Sequence, residues 1–133
     1  MRAIEVAAGL VFRDGKLLIT QRPAGGHLAG LWEFPGGKRE PDESFEDCLQ
    51  RELMEELGIE VEIGELIESI AHEYVEKTVH LRFFRCVWKR HEPQALGCPA
   101  YQWVSATELT CYNFPAADAR LLALLGTNDH WWL

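Results

Sequence analysis

"GGKREPDESFEDCLQRELMEELGI", residues 36–59, joins a pair of glycines to a segment that is rich in acidic side chains. Apolar residues recur in it at helical spacing and form a single stripe: Phe45, Leu49, Leu53 and Leu57. Ser44 is suited to cap the start of a helix, and Gly58 is suited to end one. The stretch therefore predicts a helix over residues 44–57 that follows a glycine-rich loop.

Three acids on this helix, Glu52, Glu55 and Glu56, are spaced so that like charges repel. Arg51 can offset one of these charges, and Glu43 adds a further acid ahead of the helix. The cluster is either a solvated charged face or an oxygen-rich pocket for Mg²⁺ or Mn²⁺. The neighbouring glycines favour the pocket, because glycine lets the backbone approach another group closely.

Length and charge narrow the classes of protein. The 133 residues, 47% of them hydrophobic, fit one domain over residues 1–133. A formal net charge of −8 argues against a nucleic-acid polymer as partner, because such binding rests on Lys and Arg contacts to phosphates. We expect no membrane span and no signal peptide. The four cysteines are widely spaced, which predicts free thiols in a reducing cytoplasm.

The remaining pattern predicts an α+β fold, in which helices pack on a mixed sheet. Segments with alternating or β-branched and aromatic residues are expected to be strands: residues 4–12, 16–21, 59–75, 78–88 and 101–104. A second helix is expected over residues 114–125, with Pro115 near its first turn. The short extended segment "LWEF" is expected to end at "PGG".

Gly37, Glu43 and residues 51–59 fill every specified position of G-x5-E-x7-R-E-U-x-E-E-x-G-U, in which U is aliphatic. This pattern is the Nudix box, and the chain resembles Nudix hydrolases over nearly its whole length. Residues 21–38 and 112–122 also resemble MutT-type nucleoside triphosphate pyrophosphohydrolases and the CTP pyrophosphohydrolase branch of that group. The resemblance implies a mixed sheet sandwiched between helices.

The resemblance also implies a reaction: Mg²⁺-dependent attack of water on a nucleoside triphosphate, which gives the monophosphate and pyrophosphate. Oxidised dGTP, such as 8-oxo-dGTP, is the first expected substrate, in a role that cleans the nucleotide pool and protects DNA. CTP or 5-methyl-dCTP is the alternative. A non-catalytic nucleotide-binding module and another Nudix chemistry, such as nucleotide-sugar cleavage, are more distant hypotheses. The protein is expected to be a monomer or a homodimer.

In family terms, Glu52, Glu55 and Glu56 hold the metal with the backbone carbonyl of Gly36, and Glu52 is a candidate to activate the water. Arg51 is expected to orient the cluster by pairing with a carboxylate such as Glu43. The residues expected to bind substrate are Arg22, His27, Phe34, Gly37, Lys38 and Asp118.

The chain departs from the MutT pattern at two positions. Gly97 stands where many relatives carry a further glutamate, so the general base is open, with Glu92, His91 and Glu73 as alternatives. Asp118 stands where the MutT type has an asparagine that pairs with the oxidised guanine. An ionised carboxylate only accepts hydrogen bonds, whereas a protonated one also donates. We therefore expect Asp118 to affect which base is preferred.

Several aromatic residues carry open assignments. Phe34 and Phe114 are expected either to contact the base or to belong to the core. Trp131 and Trp132 are expected either to fold back onto an apolar surface or to mark a contact with another molecule.

Overall fold

A computed structural model describes residues 2–26 and 28–133, and over these residues it contains seven β-strands and two α-helices. The strands are β1 (Arg2–Arg13), β2 (Lys16–Gln21), β3 (Trp32–Glu33), β4 (Gly36–Lys38), β5 (Glu60–Glu73), β6 (Lys77–Arg90) and β7 (Tyr101–Val104). The α-helices are α1 (Phe45–Leu57) and α2 (Ala119–Thr127). Short 3-10 helices span Glu108–Cys111, Ala116–Asp118 and Asp129–Trp132. Within the described residues, no helix is long and apolar enough to cross a membrane.

The strands form a mixed sheet in the order β3-β2-β1-β6-β5, to which β4 and β7 add by pairing with β1 and β2. β1 runs parallel to β6 along almost its whole length. Its other edge pairs first with β4, where Ala8 is opposite Gly36, and then with β2, where Phe12 is opposite Leu17. β1 is therefore the central strand, and it holds the glycine pair in place.

A different helix covers each face of the sheet. Residues along β1 alternate between the two faces, so that β1 contributes to both cores. The core on the α2 face includes Ala8, Leu10, Phe12, Leu121 and Leu125. The core on the α1 face includes Ala7, Val11, Leu49, Leu53 and Leu57. The predicted α+β class, with a mixed sheet between helices, is confirmed.

The predicted boundaries of the acidic helix are confirmed to within a residue. The Ser44 hydroxyl oxygen accepts a hydrogen bond from the backbone N–H of Asp47 at 3.0 Å. At the other end Gly58 has φ of 68°, a left-handed conformation that glycine adopts without strain, and its N–H donates to the carbonyl of Met54. Local capping residues therefore fix where α1 begins and ends.

The short strand β3 ends at Glu33, before "PGG", as expected, but "PGG" does not begin a loop. It leads into β4, whose pairing with β1 brings the two backbones very close together. A Cβ atom at Gly36 would overlap the backbone of Ala7. The glycine therefore serves a close strand pairing rather than a loop.

The second helix begins later than expected. Pro115 is extended, with ψ of 148°, and a 3-10 turn over Ala116–Asp118 follows it. The backbone N–H of Asp118 donates to the carbonyl of Pro115 at 3.0 Å, which is the tight i to i+3 hydrogen bond of such a turn. α2 therefore starts at Ala119 rather than at residue 114, and Asp118 sits at its N-cap.

The C-terminal tryptophans fold back onto the protein. The Trp132 ring packs edge-on against Phe12 with centroids 5.3 Å apart, and its Nε1–H donates to the carbonyl of Leu125 at 3.0 Å. The carbonyl of Trp131 accepts a hydrogen bond from Arg85 at 3.2 Å. Of the two expected arrangements, the fold-back onto apolar surface is the observed one.

Candidate active site

The glycine pair and the acidic helix meet directly. A Cβ atom at Gly37 would overlap the carboxyl group of Glu52, so only glycine allows this approach. The Cys48 thiol lies under the same segment, with its Sγ 3.6 Å from the carbonyl oxygen of Gly37. The box therefore places a carboxylate against an exposed backbone segment at the edge of β1.

Arg51 is the centre of the acidic cluster. Its guanidinium donates two hydrogen bonds to Glu43, at 2.7 and 3.1 Å, in a bidentate arrangement. It also contacts Glu52 at 2.9 Å, Glu55 at 3.3 Å and the backbone carbonyl of Lys38 at 3.1 Å. The expected pairing of Arg51 with Glu43 is therefore present, and the same side chain spans the loop and the helix.

These hydrogen bonds keep Glu43 ionised. The bonds from Arg51, and then the bond from the backbone N–H of Glu40, lower the pKa of Glu43 to about 2. Its carboxylate in turn raises the pKa of Arg51 further above the usual value for arginine. The pair is charged at every pH at which a protein normally works, and it fixes the loop before α1 to the helix.

Glu56 is electrostatically different from its neighbours. Burial raises its pKa to about 8, and repulsion from Glu33 and Glu52 adds to the shift. Its backbone carbonyl accepts hydrogen bonds from Leu96 and Gly97, which hold the loop before β7 against this end of α1. A partly buried carboxylate with so high a pKa is suited to exchange its proton for a cation.

The donor set fits a hard divalent cation. Glu52, Glu55 and Glu56 offer carboxylate oxygens within two turns of α1, and Glu52 lies against the backbone of Gly37. Carboxylates and carbonyls are the ligands that Mg²⁺ and Mn²⁺ prefer. In residues 2–26 and 28–133, no three His, Cys, Asp or Glu side chains converge closely enough to hold an ion. Arg51 contacts both Glu52 and Glu55, so a cation there would compete with this guanidinium.

A cavity of about 290 Å³ opens beside the cluster, between the sheet and the start of α2. Its floor is apolar and includes Val6, Leu81 and Phe83. Gly36, Gly37 and Lys38 form the end that adjoins the acidic cluster. Asp118 also lines the cavity, from the segment that leads into α2. The cavity can therefore hold one ligand that reaches from the glycine pair to Asp118.

Asp118 is the buried carboxyl group of this wall, with only 7% of the residue exposed. It occupies the N-cap position of α2, yet its side chain makes no capping hydrogen bond. Burial raises its pKa to about 6, and repulsion from Glu33 adds to the shift. The carboxyl group is therefore not used by the helix, and it titrates close to neutral pH.

A family profile described as the NUDIX domain matches residues 7–124. The chain belongs to the Nudix family. It is 46% identical to the CTP pyrophosphohydrolase of Escherichia coli K12, over 92% of this chain and 90% of that protein. It is 32% identical to the 8-oxo-dGTP diphosphatase of the same strain, over 94% of this chain and 98% of that protein. The crystal structure of a MutT protein from Methanosarcina mazei Go1 superposes with a TM-score of 0.82 at 27% identity, covering 93% of each chain.

The Nudix assignment makes the chain a hydrolase, and Nudix hydrolases generally depend on a divalent metal. The structure places most of the predicted site residues around one cavity or beside it. Arg22, Phe34, Gly37, Lys38 and Asp118 all line it. His27, which was also predicted to bind substrate, lies outside the described residues.

The two phenylalanines do not leave a slot for a base. Phe34 and Phe114 stack on each other, with ring centroids 5.1 Å apart and an interplanar angle of 19°. Phe34 is buried and also packs edge-on against Phe83. A base sandwiched between the two rings is therefore excluded in this arrangement, and Phe34 borders the cavity instead.

Sequence reasoning missed Glu33. Its carboxylate lies 2.8 Å from the Arg22 guanidinium, and burial raises its pKa against the opposing effect of Arg22. Its charge also contributes to the raised pKa values of Glu56 and Asp118. The available signal was its position: Glu33 is a charged residue three positions before the glycine pair.

The structure shows where Gly97 and one of the alternative bases, Glu92, are located. Gly97 lies against α1, where an added Cβ would be 3.3 Å from the Cα of Glu56. Glu92 is elsewhere, in an ion pair with Arg13 at 2.8 Å. Arg13 is five residues beyond Ala8, which is about 17 Å along an extended strand. The Glu92 carboxylate is therefore engaged by Arg13 in this structure, and its part in the reaction stays a prediction.

Proposed function

We propose that this Nudix hydrolase is a Mg²⁺-dependent pyrophosphohydrolase that converts a nucleoside triphosphate and water to the monophosphate and pyrophosphate. Oxidised dGTP, such as 8-oxo-dGTP, is the first candidate substrate, with CTP and 5-methyl-dCTP second. The supporting observation is the cavity that joins the acidic cluster at Gly37 to the buried carboxyl group of Asp118. We further propose that residues 1–133 act as a single domain in the cytoplasm, as a monomer or a homodimer.

The phosphate end of this ligand would lie at the glycine pair. Glu52, Glu55 and Glu56, with the carbonyl of Gly36, would hold Mg²⁺, or Mn²⁺ in its place. The bound ion supplies charge neutralisation at the phosphates and a lowered pKa for a bound water. A protein with a net charge of −8 needs such a cation to accept a polyanion. Lys38 and Arg22, which line the cavity, would contact phosphate oxygens.

The protein's own residues fix the geometry of the reaction. Arg51 pairs with Glu43 and Glu52, so the Glu52 carboxylate is oriented before substrate arrives. Glu52 is the proposed acceptor of the proton from the attacking water. The same carboxylate lies against Gly37, which borders the cavity, so the proton acceptor and the phosphate end of the ligand are adjacent.

The base end would be read by Asp118. In its protonated form this side chain donates through O–H and accepts through C=O. Cytosine presents an acceptor, N3, beside a donor, the N4 amino group. 8-Oxoguanine presents O6 beside the N7–H that oxidation creates, whereas guanine has two acceptors on that edge. A protonated Asp118 therefore makes two hydrogen bonds to either candidate base, but only one to the O6 and N7 edge of unmodified guanine.

One observation favours the cytidine nucleotides specifically. The relative that is 46% identical is named a CTP pyrophosphohydrolase, whereas the 8-oxo-dGTP diphosphatase of the same strain is 32% identical. Against this, a cytosine ring is smaller than a purine and would leave part of the cavity to water. We therefore retain CTP and 5-methyl-dCTP as a second candidate class.

Pyrophosphate release with Mg²⁺ tests the proposal. The panel is 8-oxo-dGTP, dGTP, CTP, dCTP, 5-methyl-dCTP, ADP-ribose and a dinucleoside polyphosphate. Selective turnover of 8-oxo-dGTP supports the first candidate, and selective turnover of cytidine nucleotides supports the second. Turnover of the diphosphate-linked substrates alone, or of none, would overturn the proposal and return attention to another Nudix chemistry or to a binding module.

A further inference from the structure

An ion pair joins α2 to the edge strand of the sheet. The Nε of Arg120, in the first turn of α2, lies 3.0 Å from Oε2 of Glu68 in β5. The Glu68 side chain is only 9% exposed, whereas that of Arg120 is 79% exposed. The Oε1 atom of Glu68 accepts a hydrogen bond from the backbone N–H of Ser69 at 3.0 Å, whereas within the described residues Oε2 receives no well-aligned hydrogen bond and faces the guanidinium charge.

Each partner is unfavourable where it stands without the other. Arg120 places a positive charge in the first turn of a helix, where the helix dipole disfavours cations. Glu68 places a carboxylate in a nearly buried position, which is costly unless an opposite charge is near. Their positions are therefore explained by the pairing and not by local propensity.

A β-bulge delivers Glu68 to the α2 face of the sheet. Leu66 pairs with Phe84, which belongs to the core on the α1 face, whereas Glu68 pairs with Phe83, which belongs to the core on the α2 face. Regular alternation would place Leu66 and Glu68 on the same face. The extra residue at Ile67 reverses the alternation and turns Glu68 toward α2.

The pair connects two walls of the nucleotide cavity. One wall comes from the β5–β6 hairpin and includes Tyr74 and Lys77. The other comes from the segment that leads into α2 and includes Pro115 and Asp118. Arg120 is two residues beyond Asp118, so its attachment to β5 constrains the start of the helix that presents the buried carboxyl group.

Asp118 depends on such a constraint, because its own side chain does not fix its orientation. It makes no capping hydrogen bond to α2, and its backbone N–H is held only within the preceding turn, by Pro115. We propose that the Glu68–Arg120 pair is a positioning device that holds Asp118 at the correct distance from the β5–β6 wall and so sharpens base discrimination. This inference rests on the proposed function.

The test compares Arg120→Ala with the wild type in kcat/KM for the best and the worst triphosphate of the panel. We expect KM for the best substrate to rise about tenfold, with kcat changed less than about threefold, because the displaced group contacts the base and not the phosphates. The ratio between the best and worst substrates should fall by a similar factor. Arg120→Lys keeps the cation and should recover most of that ratio.

Arg90→Ala is the matched control. This substitution breaks the ion pair between Arg90 and Glu60 of β5, in which the two side chains are 2.5 Å apart. Neither residue lines the cavity. The substitution should leave the substrate ratio unchanged. If Arg120→Ala and Arg90→Ala lower the melting temperature equally and neither alters the ratio, the Glu68–Arg120 pair is only structural and the inference is wrong.

A measurement without substrate separates this inference from the proposed function. Amide hydrogen exchange at residues 118–121 should be faster than in the wild type in both Arg120→Ala and Glu68→Gln. The double variant should exchange no faster than either single variant, because the two side chains act as a unit. Unchanged exchange overturns the inference even if triphosphates are hydrolysed. Wild-type silence on every triphosphate overturns the proposed function, and with it the role in discrimination.

Discussion

The two helices that cover the sheet use their acidic residues in opposite ways. α1 gathers its acids around Arg51, and its ends are capped by Ser44 and Gly58 in conventional geometry. α2 is almost entirely apolar, and the acid at its N-cap, Asp118, is buried and caps nothing. One helix thus concentrates charge beside the glycine pair, and the other presents one titratable group to the cavity.

The two arrangements arise at different levels of structure. The ion pairs around Arg51 follow from fixed spacing on one helix and its preceding loop. The pKa of Asp118 follows from burial and from the charge of Glu33, which is brought close by the fold. The arrangement of the acidic cluster is therefore set locally, whereas the pKa of Asp118 is set by tertiary structure.

The largest effect is expected from breaking the α1 end. Glu56→Gln should lower turnover at saturating Mg²⁺ by about a thousandfold, because an amide cannot supply the negative charge that a metal ligand needs. Without metal, the pKa of Glu56 is about 8, so the neutral amide resembles the form already present at neutral pH. The fold should therefore persist, which thermal unfolding would check beside a pyrophosphate-release assay.

Glu46→Gln is the control for that experiment, since Glu46 is an exposed acid in the first turn of the same helix. It should keep near wild-type turnover. Glu55→Gln should resemble Glu56→Gln in lost activity, although Glu55 is exposed and pairs with Arg51. Near wild-type turnover in either cluster variant would remove that carboxylate from the mechanism.

A smaller and more selective effect is expected at the α2 end. Asp118→Asn should change the ranking of bases by about tenfold in kcat/KM while the maximum rate changes less than about threefold. The reason is that the amide always donates and accepts, whereas the carboxyl group does both only when protonated. Steady-state kinetics across the triphosphate panel measures this. An unchanged ranking would mean that Asp118 does not read the base.

The same carboxyl group should make base preference depend on pH. Its pKa of about 6 means that the protonated form, which donates to the base, is populated below that value and lost above it. The KM of the matched base should therefore rise severalfold between about pH 5 and pH 7, relative to an unmatched base. Using a ratio cancels the pH dependence of the acidic cluster. Asp118→Asn should abolish the trend, and a persistent trend in that variant would assign it to another group.

The sequence predicts the α1 half of the molecule well for a physical reason. The apolar stripe, the Ser44 cap and the Gly58 terminus are local signals, and they fix α1 to within a residue. The strands of the central sheet were also readable, because β-branched and aromatic residues cluster in them. The spacing of Arg51 and its acids then leaves few ways to arrange their charges.

The parts that escaped prediction depend on contacts between distant segments. β4 exists because the glycine pair packs against β1, and no local propensity favours a strand there. Glu33 gains its influence only when the fold brings it near Glu56 and Asp118. The bulge at Ile67 cannot be read from alternation, because it is the place where alternation fails.

The smallest effect is expected from Glu92, one of the residues that the sequence offers as a substitute for the glutamate missing at residue 97. Its ion pair with Arg13 lowers its pKa, which makes it a weaker base, and Arg13 also stacks on Trp88, 3.8 Å from the ring centroid. Glu92→Gln should therefore leave kcat and KM within about twofold of wild type, as exposed ion pairs contribute little. A loss of a hundredfold would place Glu92 in the reaction and would require its loop to move to the acidic cluster. A neutral result would leave His91, Glu73 and the carboxylates of α1 as candidates to accept the proton, and of these Glu52 lies against Gly37 at the border of the cavity.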